Sequence, residues 1–148
     1  MATLSHGLSG VAGEYFVCAE LSRRGFLATL TLKNAQGIDV LAAKPNSSHA
    51  VQLQVKSSQS VKGHWMLSEK AERHHAPSLF YVFVRLSTLG TLPLFHVVPS
   101  QTVADYAASH HQEWLKGLKA NGTSRKDTSM RAFRDEGNQY LDRWELLG

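Results

Sequence analysis

With a single cysteine, Cys18, among its 148 residues, the chain can close no intrachain disulfide. That points to a reducing, cytoplasmic setting. No apolar run approaches the roughly 20 residues a membrane span needs, so no membrane association is expected. Met1–Gly10 lacks a basic start followed by an apolar stretch, and no signal peptide is expected. Also missing are a G-x-S-x-G elbow, a phosphate-cradling P-loop and a dinucleotide fingerprint. The histidine pairs His74-His75 and His110-His111 have no second set of ligands at zinc spacing. There is no internal repeat and no low-complexity tract.

The chain carries a net charge of +4, which mildly favours a polyanionic partner. Its length suits one domain able to bury a core without disulfides. We read residues 1–148 as that domain, with a core over about 8–119 and a C-terminal helical extension over about 120–148.

Leu8 to Gly25 reads as a first helix with Ser9 as N-cap and Gly25 as its stop. On a helical wheel Val11, Tyr15, Cys18 and Leu21 share the apolar side, and Glu20, Arg23 and Arg24 point away. Strands are predicted over Phe26–Leu32, Ile38–Ala43 and Ala50–Lys56, separated by turns at Asn34–Gly37 and Pro45–Ser48. A polar loop, Ser57–Gly63, leads to a short extended piece at Trp65–Leu67 and a brief helix around Ser68–His74. Leu79–Leu86, apolar at almost every position, suits a central strand covered on both faces. A fifth strand at Leu94–Val98 precedes a helix over Pro99–Lys119 and a basic loop at Asn121–Asp127. A final helix is predicted around Asn138–Leu147. This order implies an α/β fold, a mixed sheet of about five strands flanked by helices.

The third strand carries the functional signal. Period-two alternation puts Val51, Leu53 and Val55 on one face and Gln52, Gln54 and Lys56 on the other. If the second and third strands pair as a hairpin, Asp39 comes beside Gln54 and Lys56. An acid between Ile38 and Val40 is unfavoured in a strand without a purpose. Glu14 falls within the apolar arc of the first helix, where a carboxylate needs a cation, a donor or a metal. An acid, then an amide with a lysine two residues later, suits holding a divalent ion beside a phosphodiester. The competing reading is a hairpin whose polar face is merely solvated.

These residues carry a resemblance. GEYFVCAELSRRGF (Gly13–Phe26), GIDVLA (Gly37–Ala42) and VQLQVKSS (Val51–Ser58) together resemble the PD-(D/E)XK nuclease superfamily, the restriction-endonuclease-like fold. The likeness is nearest to the compact branch that includes archaeal Holliday-junction resolvases, and it covers about Leu8 to Ser58. It implies a Mg²⁺- or Mn²⁺-dependent endonuclease hydrolysing phosphodiester bonds in DNA, with RNA as the other polymer. Asp39 would be the principal metal ligand, Gln54 the second and the Val55 carbonyl a third. Lys56 would orient the attacking water and stabilise negative charge, and Glu14 would be the helix acid that some branches add. Ser57, Ser58, Lys62 and Arg131 are the expected contacts to the nucleic-acid backbone. A homodimer is also implied, since two cuts need two sites. Two departures stand out: Ile38 replaces the proline of the family name, and Gln54 replaces an acid. The second leaves open a nuclease-fold module that binds nucleic acid or a protein without cleaving.

Overall fold

The structure, a computed structural model, describes residues 3–32 and 36–148. Met1 and Ala2, and Asn34 and Ala35 of the predicted turn, lie outside the described residues. The chain opens with α1 (His6–Arg23). It begins earlier than predicted because Ser5, not Ser9, accepts the Leu8 amide and caps the helix. It stops as expected at Gly25, whose φ of +85° an L side chain would resist. Next come β1 (Leu27–Leu30), β2 (Val40–Ala43) and β3 (Ala50–Ser58). β4 (Trp65–Ser68) and a 3₁₀ turn at Glu69–Glu72 form a crossover to β5 (Leu79–Arg85). After β6 (Leu94–Pro99) come α2 (Ser100–Lys116) and β7 (Met130–Phe133).

The five-stranded sheet has the order β1-β2-β3-β5-β6. Only β3 and β5 run parallel, the other neighbours being antiparallel. This is the mixed, helix-flanked α/β sheet the sequence implied. As expected for a covered central strand, β5 is buried along Leu79–Val84.

Each face of the sheet has its own core. On one, α1 sets Val17 and Leu21 against Val40, Leu53, Val55 and Val82. On the other, Tyr81, Phe83 and Val98 pack with Val103 of α2 and with Trp65, Leu67 and Phe133. Phe83 stacks on Phe133 at 4.4 Å between ring centres, and the Trp65 indole donates to the Val84 carbonyl at 3.0 Å. Trp65 is thus a packing residue.

α1 faces the sheet differently from its wheel. Val11 and Tyr15 are exposed, and the buried stripe is Ser9, Gly13, Val17 and Leu21. The reason is close approach: a methyl on Gly13 would stand 1.8 Å from Ser57 Oγ and 3.1 Å from its Cβ. A helix seated this near the sheet must present small residues to it. Glu20, expected to point outward, is buried and ion-paired with Arg23 and Arg24, while Arg24 lies over the Trp144 ring.

The C-terminal segment is not the predicted helix. Residues 130–133 form β7, which pairs antiparallel with β4 through Trp65↔Phe133 to Ser68↔Met130. Beyond it are two 3₁₀ turns, Glu136–Asn138 and Trp144–Leu147, and a single antiparallel bridge from Leu141 to His96 of β6. Asp135 accepts the amides of Gln139 and Tyr140, and Gly137, Asn138 and Asp142 have positive φ. A side chain that captures backbone amides in this way competes with helix formation. Trp144 and Leu147 nevertheless dock into the α1-side core.

Candidate active site

The β2–β3 ladder changes where Asp39 begins. Val40 lies opposite Leu53, yet the Asp39 amide also donates to the Leu53 carbonyl at 2.8 Å. Two residues of one strand thus face one of the other, in the manner of a β-bulge, a feature that re-aims side chains. The Asp39 carboxylate then accepts the Val55 amide through Oδ2 at 2.7 Å, standing in for the next backbone acceptor. An acid is favoured here because the pairing has run out of carbonyls. It supports β3 from the side while its other oxygen makes no hydrogen bond to a described residue.

Gln54 pairs with Tyr81 across the parallel β3–β5 ladder, and Lys56 pairs with Phe83. All four therefore project to the α2 side of the sheet, as the alternation required. Gln54, Lys56 and Tyr81 line a cleft of about 440 Å³, closed by Leu67 of β4 and by Lys70, Ala71 and His74 of the crossover. Burial, and then the negative charge of Asp39, push the Tyr81 phenol up to about 12. The bond to the Val55 amide brings the Asp39 carboxylate to β3 between the positions of Gln54 and Lys56, so the three share one neighbourhood. Tyr81 keeps its proton at neutral pH.

His74 and Lys70 were missed as site residues in the sequence. His74 stands out there only as half of a histidine pair, and nothing local announces that the crossover folds it over Gly37. A Cβ on Gly37 would lie 2.3 Å from His74 Cε1, and Gly37 also has a φ of +67°. The glycine is required twice, by conformation and by the ring above it.

The remaining expected residues are not among those lining this cleft. Glu14 is half-buried on α1, beside the Gly13–Ser57 contact. Burial and then the Glu14 charge raise the Cys18 thiol above its ordinary range. Ser57 faces α1, on the opposite side of the sheet from Lys56, and its Oγ is buried without a hydrogen-bond partner. It does not reach the cleft. Ser58 accepts the Ser60 amide at 3.1 Å, and Lys62 lines a second cleft farther along the same face. Arg131 is buried and occupied: it pairs with Glu72 and donates to the carbonyls of Thr128 and Met130. It is an internal clamp between β7 and the crossover, not a surface for phosphate.

Among the described residues no three His, Cys, Asp or Glu side chains are grouped to hold a metal. The candidate donors are the Gln54 amide oxygen on the cleft wall and the Asp39 carboxylate, bonded to the Val55 amide beside it, both hard oxygens. Such a set fits a Mg²⁺ ion that keeps most of its water and excludes a closed zinc-type site.

No protein-family model and no curated protein matches the sequence. Solved structures do. A bacterial homing endonuclease, I-Ssp6803I, superposes with a TM-score of 0.59 at 15% identity, covering 98% of this chain and 92% of that one. Hjc, a Holliday junction resolvase from the archaeal hyperthermophile Archaeoglobus fulgidus, gives 0.51 at 12% identity over 89% and 88%. The chain therefore has the restriction-endonuclease-like fold, as the sequence resemblance implied. Among the described residues no helix is long and apolar enough to cross a membrane.

Proposed function

We propose that the protein is a Mg²⁺- or Mn²⁺-dependent endonuclease that hydrolyses phosphodiester bonds in DNA. The observation that carries this reading is the Asp39 carboxylate bonded to the Val55 amide at 2.7 Å, between Gln54 and Lys56, whose side chains line one cleft. The fold shared with an endonuclease and a junction resolvase supports it.

In this reading Asp39 holds the ion through its uncommitted oxygen, with Gln54 and the Val55 carbonyl as neutral donors. Glu14 is the helix acid that adds charge from α1. When bound, the ion supplies Lewis-acid polarisation of the phosphoryl oxygen and a more acidic water. Lys56 orients the nucleophile and stabilises charge on the phosphate. Tyr81, protonated at neutral pH, contributes a donor and no charge. Ser58 and Lys62 hold the strand by its backbone. RNA is the other polymer with this chemistry, and a homodimer would supply two cuts.

The test is cleavage of plasmid DNA with Mg²⁺ by the wild type, Lys56→Ala and Asp39→Asn. Cleavage by the wild type and none by the variants is expected, and equal activity in all three refutes the proposal. A second reading, a nuclease-fold module that binds nucleic acid or a protein without cleaving, is favoured by Gln54, which brings no charge to the ion. Calorimetric titration with Mg²⁺ separates the two. Binding that tightens in Gln54→Glu supports the enzyme, and indifference to Mg²⁺ at millimolar levels supports the module.

A further inference from the structure

A second cleft, of about 280 Å³, opens on the same face of the sheet, past the ends of β3 and β5. It holds three cations, Lys62, Arg85 and Arg134, and one uncommitted acid, Glu136. None of the three cations has a carboxylate partner among the ion pairs of the described residues. Arg85 is half-buried, and the turn above it passes as Gly63, where even a Cβ would stand 3.9 Å from Nη1. A partly desolvated guanidinium that faces a cleft without a carboxylate partner gains direct, charge-assisted hydrogen bonds when an anion enters.

His96 lines the same cleft and is buried, its relative exposure being 3%. Its Nδ1 lies 2.7 Å from Asp135 Oδ2. Both Asp135 oxygens already accept amides, from Gln139 and Tyr140, so Nδ1–H is the donor to this acceptor-only carboxylate. The ring makes no other hydrogen bond to a described residue, which leaves Nε2 for a ligand. In register, Ser58 sits opposite Arg85 as Lys56 sits opposite Phe83. The second cleft is thus two residues farther along the sheet than Lys56, about 7 Å at strand rise.

We propose that Lys62, Arg85, Arg134 and His96 form a phosphate subsite for the group next to the one beside Lys56 on the same nucleic-acid strand. The assignment rests on the nuclease reading. The guanidinium forks suit phosphate oxygens, and contacts of this kind fix a strand's position without reading its sequence.

The test compares the wild type with Arg85→Gln/Arg134→Gln in two arms. In the first, inorganic phosphate is titrated while the histidine ring resonances are followed by NMR. The His96 signals shift in the wild type and stay still in the variant. In the second, binding of a short DNA duplex is measured against salt with Ca²⁺ in place of Mg²⁺. The slope of log affinity on log salt becomes shallower by about 0.9 for each phosphate the variant no longer neutralises. A shift in the first arm with an unchanged slope in the second means a free phosphate ligand, and overturns the strand assignment. No shift and no change of slope overturn the subsite altogether. If the wild type binds no duplex, the nuclease reading fails separately, and the phosphate arm alone decides the cleft. Should the double variant fail to fold, the exposed Arg134→Gln carries the same comparison.

Discussion

The Asp39 carboxylate and the Val55 amide are bonded at 2.7 Å, so the residue expected to bind a metal is also a rung of the β2–β3 hairpin. The two roles can be pulled apart. Asp39→Asn keeps an oxygen for the Val55 N–H and removes the charge, so cleavage is lost while the melting temperature barely moves. Asp39→Ala also strands a part-buried amide, at a cost of about 1–2 kcal/mol. Thermal denaturation beside a cleavage assay distinguishes them. Equal melting temperatures for the two variants would show that the hydrogen bond contributes nothing.

Tyr81 gives a pH handle on the same group. Its phenol is raised from 10.0 to about 12, first by burial and then by Asp39. A pKa raised on folding contributes stability that is fully present below the unfolded value and lost as pH rises through the folded one. The protein should therefore lose stability between about pH 10 and pH 12. In Asp39→Asn the phenolate should appear at lower pH. Spectroscopic titration of the tyrosines reads this, and an unaltered curve in the variant contradicts the coupling.

Gly13 and Ser57 set the height of α1 above the sheet. Gly13→Ala overpacks the contact and should cost about 1–3 kcal/mol. Ser57→Ala removes a buried, unpartnered hydroxyl and should leave stability equal or higher, by up to about 1 kcal/mol. Since Ser57 faces away from the cleft, the same variant should bind DNA as the wild type does. Chemical denaturation and a binding isotherm check both points.

Arg131 should prove structural. Arg131→Met breaks the clamp to Glu72 and two carbonyls and should cost about 2 kcal/mol. The salt dependence of DNA binding should not change. A shallower salt slope with unchanged stability would return Arg131 to the nucleic-acid surface.

Where structure followed local pattern, the sequence was readable. The alternation Val51-Gln52-Leu53-Gln54-Val55-Lys56 assigned faces that the β3–β5 register upholds. The unbroken apolar run of β5 announced a strand covered on both sides. The orientation of α1 was misread because a wheel weights large apolar residues, whereas close packing selects Gly13 and Ser9. β7 was hidden because Met130-Arg131-Ala132-Phe133 is short, holds an arginine and finds its partner far away in the chain. At the C-terminus the spacing of Tyr140, Leu141, Trp144 and Leu147 suited a helix, but Asp135 claimed the amides instead. That Gln54 and Lys56 share a face was legible, while the places of His74, Lys70 and His96 at the two clefts depend on long-range contacts.

The pairing of Trp65 with Phe133 joins segments 68 positions apart, 133 less 65. β4 carries Leu67 into the wall of the Lys56 cleft, so that wall is braced only after β7 exists. Contacts of such long sequence separation form late, because the loop between them must first be closed. During synthesis, a chain already long enough to complete the five-stranded sheet would still have the β4 side of its cleft unbraced. The ribosome must deliver the chain through Phe133 before the Lys56 cleft has its full walls.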